Sequence, residues 1–216
     1  MAPMHVDHLS YACGPDGLLA CADRLAAQLG VQSLDGGFHP RFGTRNRIIP
    51  LRGPRYLEVV EVLDHPAADK APFGQAVRAR SEQGGGWLGW VIALDEERMS
   101  TFEQRLGRSA VDGRRVQPDG SVLQWRQLGV KGLQGDPQLP FFVEWQSPEA
   151  ERPSALSSTA ELVGIELAGT PDRLGEWLGT GAEELVPGIP LTWTHPSGQP
   201  GLASATFATL GGEVTI

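Results

Sequence analysis

Cysteine, lysine and tyrosine occur only twice each in 216 residues, and each scarcity removes a class of protein. A disulfide-stapled extracellular scaffold needs four or more cysteines at regular spacing. Cys13 and Cys21 alone fit buried thiols in a reducing, cytoplasmic setting. Long apolar runs are also missing: the longest, 87–94 with its glycine, has eight residues, against the roughly 20 that span a bilayer. Positive charge is short too. Lysine and arginine number 18 against 26 acids, a net charge of −8, which argues against nucleic acid or an anionic membrane as the main partner. The N-terminus, Met1-Ala-Pro-Met-His5, has no basic segment followed by an apolar one, so no secretory signal is expected. No phosphate loop, no glycine-rich strand-to-helix turn and no Ser-His-Asp order stands out, so nucleotide binding has no motif behind it.

What is present is a core's worth of apolar residues, 40% of the chain, and an internal repeat. Residues 6–12 alternate as a strand, with Val6, His8, Ser10 and Ala12 on one face. A helical pattern follows from Leu18 to Leu29, with Asp16 as expected N-cap and Gly30 as C-cap. Strands are expected at 34–38, 45–51 and 55–63. The order returns at 88–94 (strand), 96–106 (helix closed by Gly107), 114–117, 121–128 and 139–146 (strands). A third copy starts at Leu162, with a helix opened by Thr170-Pro-Asp and strands near 185–191, 202–210 and 213–216. The spacing from first to last strand is similar in the three copies (6 to 56, 88 to 141, 162 to about 211). The predicted fold is α+β: two paired βαβββ modules, about 5–64 and 87–146, within a domain spanning 1–146. A polar linker at 147–161 precedes a third module at 162–216. A helix is also expected at 73–82 between the first two copies. One helix covers only one face of such a sheet. Two modules side by side then give a curved sheet with a concave face suited to a small ligand.

The runs Val6-Asp-His-Leu-Ser-Tyr, Gly36-Gly-Phe-His-Pro-Arg-Phe-Gly-Thr-Arg-Asn46, Tyr56-Leu-Glu58 and Leu139-Pro-Phe-Phe-Val-Glu-Trp145 resemble the glyoxalase-like domain proteins of the vicinal oxygen chelate superfamily. The resemblance covers essentially the whole chain. It implies paired βαβββ modules around a cup. It does not specify a reaction, because that superfamily holds isomerases, epimerases, ring-cleaving dioxygenases, thiol transferases and metal-free drug-binding proteins. Its metal ligands occupy matching positions on the first and last strands of each module, which correspond here to His8, Glu58, Trp90 and Glu144. An indole cannot ligate a metal. His8, Glu58 and Glu144 remain, a set suited to Zn, Mn, Ni or Mg. A two-His, one-carboxylate iron site is disfavoured, and His39 is a candidate fourth ligand. Glu58 and Glu144 are then the expected catalytic carboxylates, ligands that also move a proton in lyase or isomerase chemistry.

Other readings compete for these residues. His8 beside Asp7 also fits a structural histidine, and Glu58 and Glu144 also fit cross-strand pairs with Arg45, Arg47 or Arg126. Arg41 and Arg45 are candidate clamps for an anionic substrate, and Asn46 is expected beside the cup. Of six tryptophans, Trp90 is expected to face the cup, with Trp87, Trp125, Phe142 and Trp145 as a candidate aromatic wall that for most of them also reads as core. His195 is expected in an exposed turn. The position matching His8 in the third copy is Gly164 and that matching Glu58 is Glu213, so that copy carries no ligand pattern; it either covers the main domain or pairs with its counterpart in a homodimer. The expected ligand is a small organic acid or carbonyl compound, bound over a divalent metal or, alternatively, sequestered without one.

Overall fold

A computed structural model describes residues 4–117, 119–179, 188–195 and 198–216. The first repeat runs β1 (His5–Ala12), α1 (Gly17–Leu29), β2 (Leu34–His39), β3 (Thr44–Pro50) and β4 (Tyr56–Val62). Two helices, α2 (Pro66–Lys70) and α3 (Pro72–Glu82), lead to the second: β5 (Gly86–Ala93), α4 (Glu96–Leu106), β6 (Val111–Val116), β7 (Val122–Leu128), α5 (Gly132–Gly135) and β8 (Phe141–Trp145). The C-terminal unit is β9 (Glu161–Ala168), α6 (Pro171–Leu178), β10 (Leu191–Thr194), β11 (Gly201–Thr209) and β12 (Gly212–Thr215). The α+β architecture is the one the periodicity predicts.

The duplication extends to how the helices end. Gly30 and Gly107 both take left-handed conformations, φ 68° and 61°. In each case the next residue, Val31 or Arg108, bonds back to the carbonyl five residues earlier, which caps the helix. The helix starts differ. Asp95 accepts a bond from the Arg98 N–H, whereas Asp16 makes no side-chain cap and instead meets Arg24 at 3.3 Å. The expected Asp16 cap is therefore corrected: its backbone is itself helical, which turns the carboxylate from the first-turn N–H groups.

Eight strands close into a barrel in the order β1-β4-β3-β2-β6-β7-β8-β5. In each repeat the last strand lies parallel to the first, β4 on β1 and β8 on β5. The repeats join antiparallel along β1 and β5. At the opposite seam only Phe38 and Val116 pair. Twist accumulated over the sheet brings its ends round, so the anticipated open cup becomes a barrel with one thin seam.

The third unit repeats the element order but not the pairing. Its sheet runs β10-β9-β11-β12, with β10 parallel and β11 antiparallel to β9. The last strand no longer neighbours the first. Gly164 pairs with Thr206 and Glu213 with Ala208, so the expected correspondence with His8 and Glu58 does not hold. Chain spacing reports elements, not their partners. Of the strand expected at 185–191, residues 185–187 lie outside the described residues, and β10 begins only at Leu191.

This unit buries its apolar face on its own chain. Ile165, Leu167, Leu174 and Phe207 share one core with Trp90, Phe142 and Leu139. Trp177 stacks on Phe142 at 6.1 Å and 11° and donates to the Pro140 carbonyl at 2.9 Å. Trp87 donates to the Ile216 carbonyl at 3.0 Å. Each fully buried large side chain contributes about 1.5–3 kcal/mol, so the outer face of β5 and β8 is structural. Cys13 and Cys21 are buried free thiols, and burial pushes Cys13 up to about 12, which leaves it unreactive. His195 is exposed.

Candidate functional site

The barrel interior holds a small cavity, about 40 Å³, whose polar lining comes chiefly from the first repeat. Alternation on β4 turns Tyr56, Glu58 and Val60 inward, and on β3 it does the same for Thr44 and Asn46. Asn46 Nδ2 donates to Glu58 Oε1 at 2.6 Å. Ser10 Oγ, paired with Glu58 in register, donates to Oε2 at 2.9 Å. Gly36 makes room for this: a Cβ there would overlap Asn46 Oδ1.

His8 Nδ1 lies 2.7 Å from Asp7 Oδ2. Sequence neighbours in a regular strand face opposite ways. Here the β1–β5 register shifts between Val6 and His8, a bulge that leaves Asp7 unopposed and lets its carboxylate reach its neighbour's ring. Asp7 Oδ1 also accepts the Trp145 indole N–H at 3.0 Å. A carboxylate only accepts, so Nδ1 carries a proton and Nε2 is turned toward Glu58 Oε2, 3.8 Å away. The His8 ring stacks on Tyr56 at 4.6 Å.

Burial raises the Glu58 carboxyl, but the positive charge of the His8 ring when it holds both protons, with the bonds from Asn46 and Ser10, outweighs it and holds the group below its usual value. The neighbouring His39 is fully buried, which drives it down to about 4, and it is neutral at pH 7; we assign it no share in holding Glu58 ionised. Burial, then the Asp7 and Glu58 carboxylates, keep the Tyr56 phenol protonated. Arg115 enters from β6. It is 5% exposed, reaches Asn46 Oδ1 with Nη1 at 3.4 Å, and leaves its buried Nε without a hydrogen-bond partner. Phe42, Phe73, Trp125, Phe141 and Trp145 form the aromatic wall.

Glu144, Phe142, Trp90, Trp87, Arg45 and Arg41 do not face this cavity. His8 and Val91 pair directly across the β1–β5 seam. From them the ladders run to Tyr56 and Phe141, then to Glu58 and Val143. The counterpart of Glu58 is thus Val143, and Glu144 sits one residue out of phase. Such a slip reverses the face. Glu144 points outward and meets Arg126 at 2.9 Å, which also binds Glu103 at 2.7 Å. Phe142 lies outside for the same reason and packs on Phe102. Trp90 pairs with Leu9, is fully buried in the outer core, and donates to the Gln138 carbonyl at 2.9 Å. Arg45 flanks Asn46 on the outer face and pairs with Glu61 at 2.6 Å. His8, Glu58, Asn46, Trp125 and Trp145 do line the cavity, as does His39, the candidate fourth ligand.

The His8–Asp7 pair is the competing reading of His8; Tyr56, Arg115 and Gln127 are additions to the expected set. Arg115 had no signal in the sequence pattern: in Val111-Asp-Gly-Arg-Arg-Val116 the apolar ends are exposed and only Gly113 and Arg115 are buried, the reverse of hydrophobic alternation. The bulge that lets Asp7 reach the His8 ring leaves no mark in hydrophobic period.

The three-ligand metal set does not assemble. Glu144 is on the far face, both Glu58 oxygens already accept bonds, and among the described residues no group of three His, Cys, Asp or Glu side chains is arranged to hold a metal ion. The residues present do not fit the expected ion.

The glyoxalase-like domain family matches residues 6–186. A hypothetical protein from Staphylococcus aureus has a similar solved structure, with TM-score 0.65 and 13% identity over 91% of this chain and 87% of that one. Weaker likenesses are a Streptomyces coelicolor methylmalonyl-CoA epimerase variant in complex with 2-nitronate-propionyl-CoA (TM-score 0.45, 16% identity, 65% of this chain and 95% of that one) and a 4-hydroxymandelate synthase variant from Streptomyces coelicolor (0.45, 12%, 100% and 62%). No curated protein matches the sequence. With its paired βαβββ modules closed around one interior cavity, the chain belongs to the glyoxalase-like domain family.

Proposed function

We propose that the barrel cavity binds a small organic acid or carbonyl compound and that His8 moves a proton on it, a lyase or isomerase type of chemistry. The observation that carries this is the Arg115 guanidinium: buried, with Nε unpartnered, on the same cavity as His8 and Glu58. A buried cation with a free donor suits a carboxylate or an enolate oxygen. Asp7 holds the His8 ring with Nε2 available as base. The proton passes from the carbon beside the carbonyl to Nε2. The electron pair moves to the carbonyl oxygen, where Arg115 stabilises it. Return of the proton to the same or the adjoining carbon gives isomerisation; departure of a leaving group instead gives a lyase. Glu58, ionised beside Nε2, stabilises the imidazolium in between. The small cavity limits the head group to a few heavy atoms.

The aromatic wall supports a second reading, sequestration without catalysis, in which stacking supplies the affinity. Hydrogen–deuterium exchange at the carbon next to the carbonyl, followed by NMR on 2-oxo and 2-hydroxy acids of three to six carbons, separates the two. Exchange with wild type that disappears in His8→Gln, binding retained, supports proton transfer. Binding without exchange in both supports sequestration. Absence of binding by every acid overturns both.

A further inference from the structure

Both lysines of the chain, Lys70 and Lys131, lie on one groove of about 620 Å³ together with Arg41 and Arg108. They come from four separate places: the β2–β3 turn, the end of α2, the residue after the Gly107 cap, and the start of α5. All four are exposed. No acidic residue lines the groove. Elsewhere Arg24, Arg45, Arg52, Arg78, Arg98, Arg126 and Arg173, about half of the remaining arginines, each meet a carboxylate. Among the described residues none of the four groove cations does so. Arg41 bonds only the Asp112 carbonyl, at 2.7 Å, and Asp69, next to Lys70 in sequence, is turned to Arg78 at 3.2 Å. In a protein of net charge −8, four unneutralised cations on one concavity are a local reversal of sign that focuses anions there.

The groove also adjoins the barrel cavity. Phe42, Phe73 and Gln127 line both, so a molecule in the groove can place one end against the aromatic wall. The groove is many times roomier than the cavity, about 620 against about 40 Å³. We infer that it holds the phosphate-bearing tail of a substrate whose small acid or carbonyl head occupies the cavity, a reading that rests on the proposed function above. Four cations more than offset the charge of an esterified diphosphate group, and lysine and arginine together supply point charges and bidentate donors. No sequence motif marks this site because its residues are scattered over four segments; charge and placement define it.

The test is calorimetric titration of the full chain with inorganic pyrophosphate at low and at moderate salt, alongside a small 2-oxo acid as cavity probe. Wild type is expected to bind pyrophosphate, more weakly as salt rises. Lys70→Gln/Lys131→Gln is expected to lose about tenfold in pyrophosphate affinity while keeping wild-type affinity for the oxo acid. Arg115→Met is expected to do the reverse. Arg52→Gln, which removes a cation remote from the groove, is expected to change neither. The groove reading is overturned if wild type does not bind pyrophosphate, if the double lysine variant binds it as wild type does, or if Arg52→Gln loses as much as the lysine variant. Loss of oxo-acid binding alone would sink the cavity reading and leave the groove standing.

Discussion

Asp7 Oδ2 holds His8 Nδ1 at 2.7 Å, a bond between adjacent residues of one strand that exists only because β1 carries a bulge at that point. It gives the histidine an orienting carboxylate from its own backbone neighbour. Asp7→Asn keeps the shape and an acceptor for Trp145 but removes the charge. A loss of about 1–3 kcal/mol in urea unfolding is expected, with proton exchange at the substrate carbon falling more than substrate affinity.

The buried histidine sets a pH dependence. His39 is lowered from 6.5 to about 4 in the folded protein. Between those values the unfolded chain takes up a proton there and the folded chain does not, so stability falls as pH drops through this window. From pH 7 to pH 5 the expected contribution is a loss of about 2 kcal/mol. Replacing the ring, as in His39→Gln, should flatten that part of the profile, measured as the difference between variant and wild type in urea at the two pH values. Glu58 adds a slope at more acid pH. Its folded value lies below 4.5, so its contribution is intact above that pH and drains as acid protonates the folded carboxylate.

Asn46 depends on the missing side chain of Gly36. In Gly36→Ala the new Cβ displaces the amide and Glu58 loses a donor. A destabilisation of about 1–3 kcal/mol is expected, and Asn46→Ala in the same chain should recover part of it. A double-mutant cycle reads the coupling, and additive losses would count against the contact.

The outer face should matter for folding and not for binding. Trp90→Ala is expected to cost about 3–5 kcal/mol and to leave the affinity of the folded protein for a small acid unchanged. Melting curves with and without ligand test both parts. A ligand-induced stabilisation lost along with Trp90 would place the tryptophan in the site after all.

The sequence revealed the repeat because hydrophobic period and glycine caps are local: the strand order and the longer helices of the three units followed from them, while the four- and five-residue helices α5 and α2 are too short to show a period. Strand partners are not local, so the altered pairing of the third sheet was invisible. The site was legible where ordinary alternation held, at His8, Asn46 and Glu58. It was misread on β8, where matching Glu144 to Glu58 by motif overlooked a one-residue offset that only the ladders from His8 and Val91 reveal. Asp7 reaches the ring through a bulge, and Arg115 lies on a strand whose apolar ends, Val111 and Val116, are exposed, so hydrophobic period does not mark it.

The central claim is that the site takes its charge from Arg115 and the first repeat, with no part played by Glu144. Calorimetric titration of a small 2-oxo acid into wild type, Arg115→Met and Glu144→Gln tests it most directly. The account predicts a loss of about tenfold or more for Arg115→Met and wild-type affinity for Glu144→Gln. Wild-type affinity in Arg115→Met together with lost binding in Glu144→Gln would contradict it.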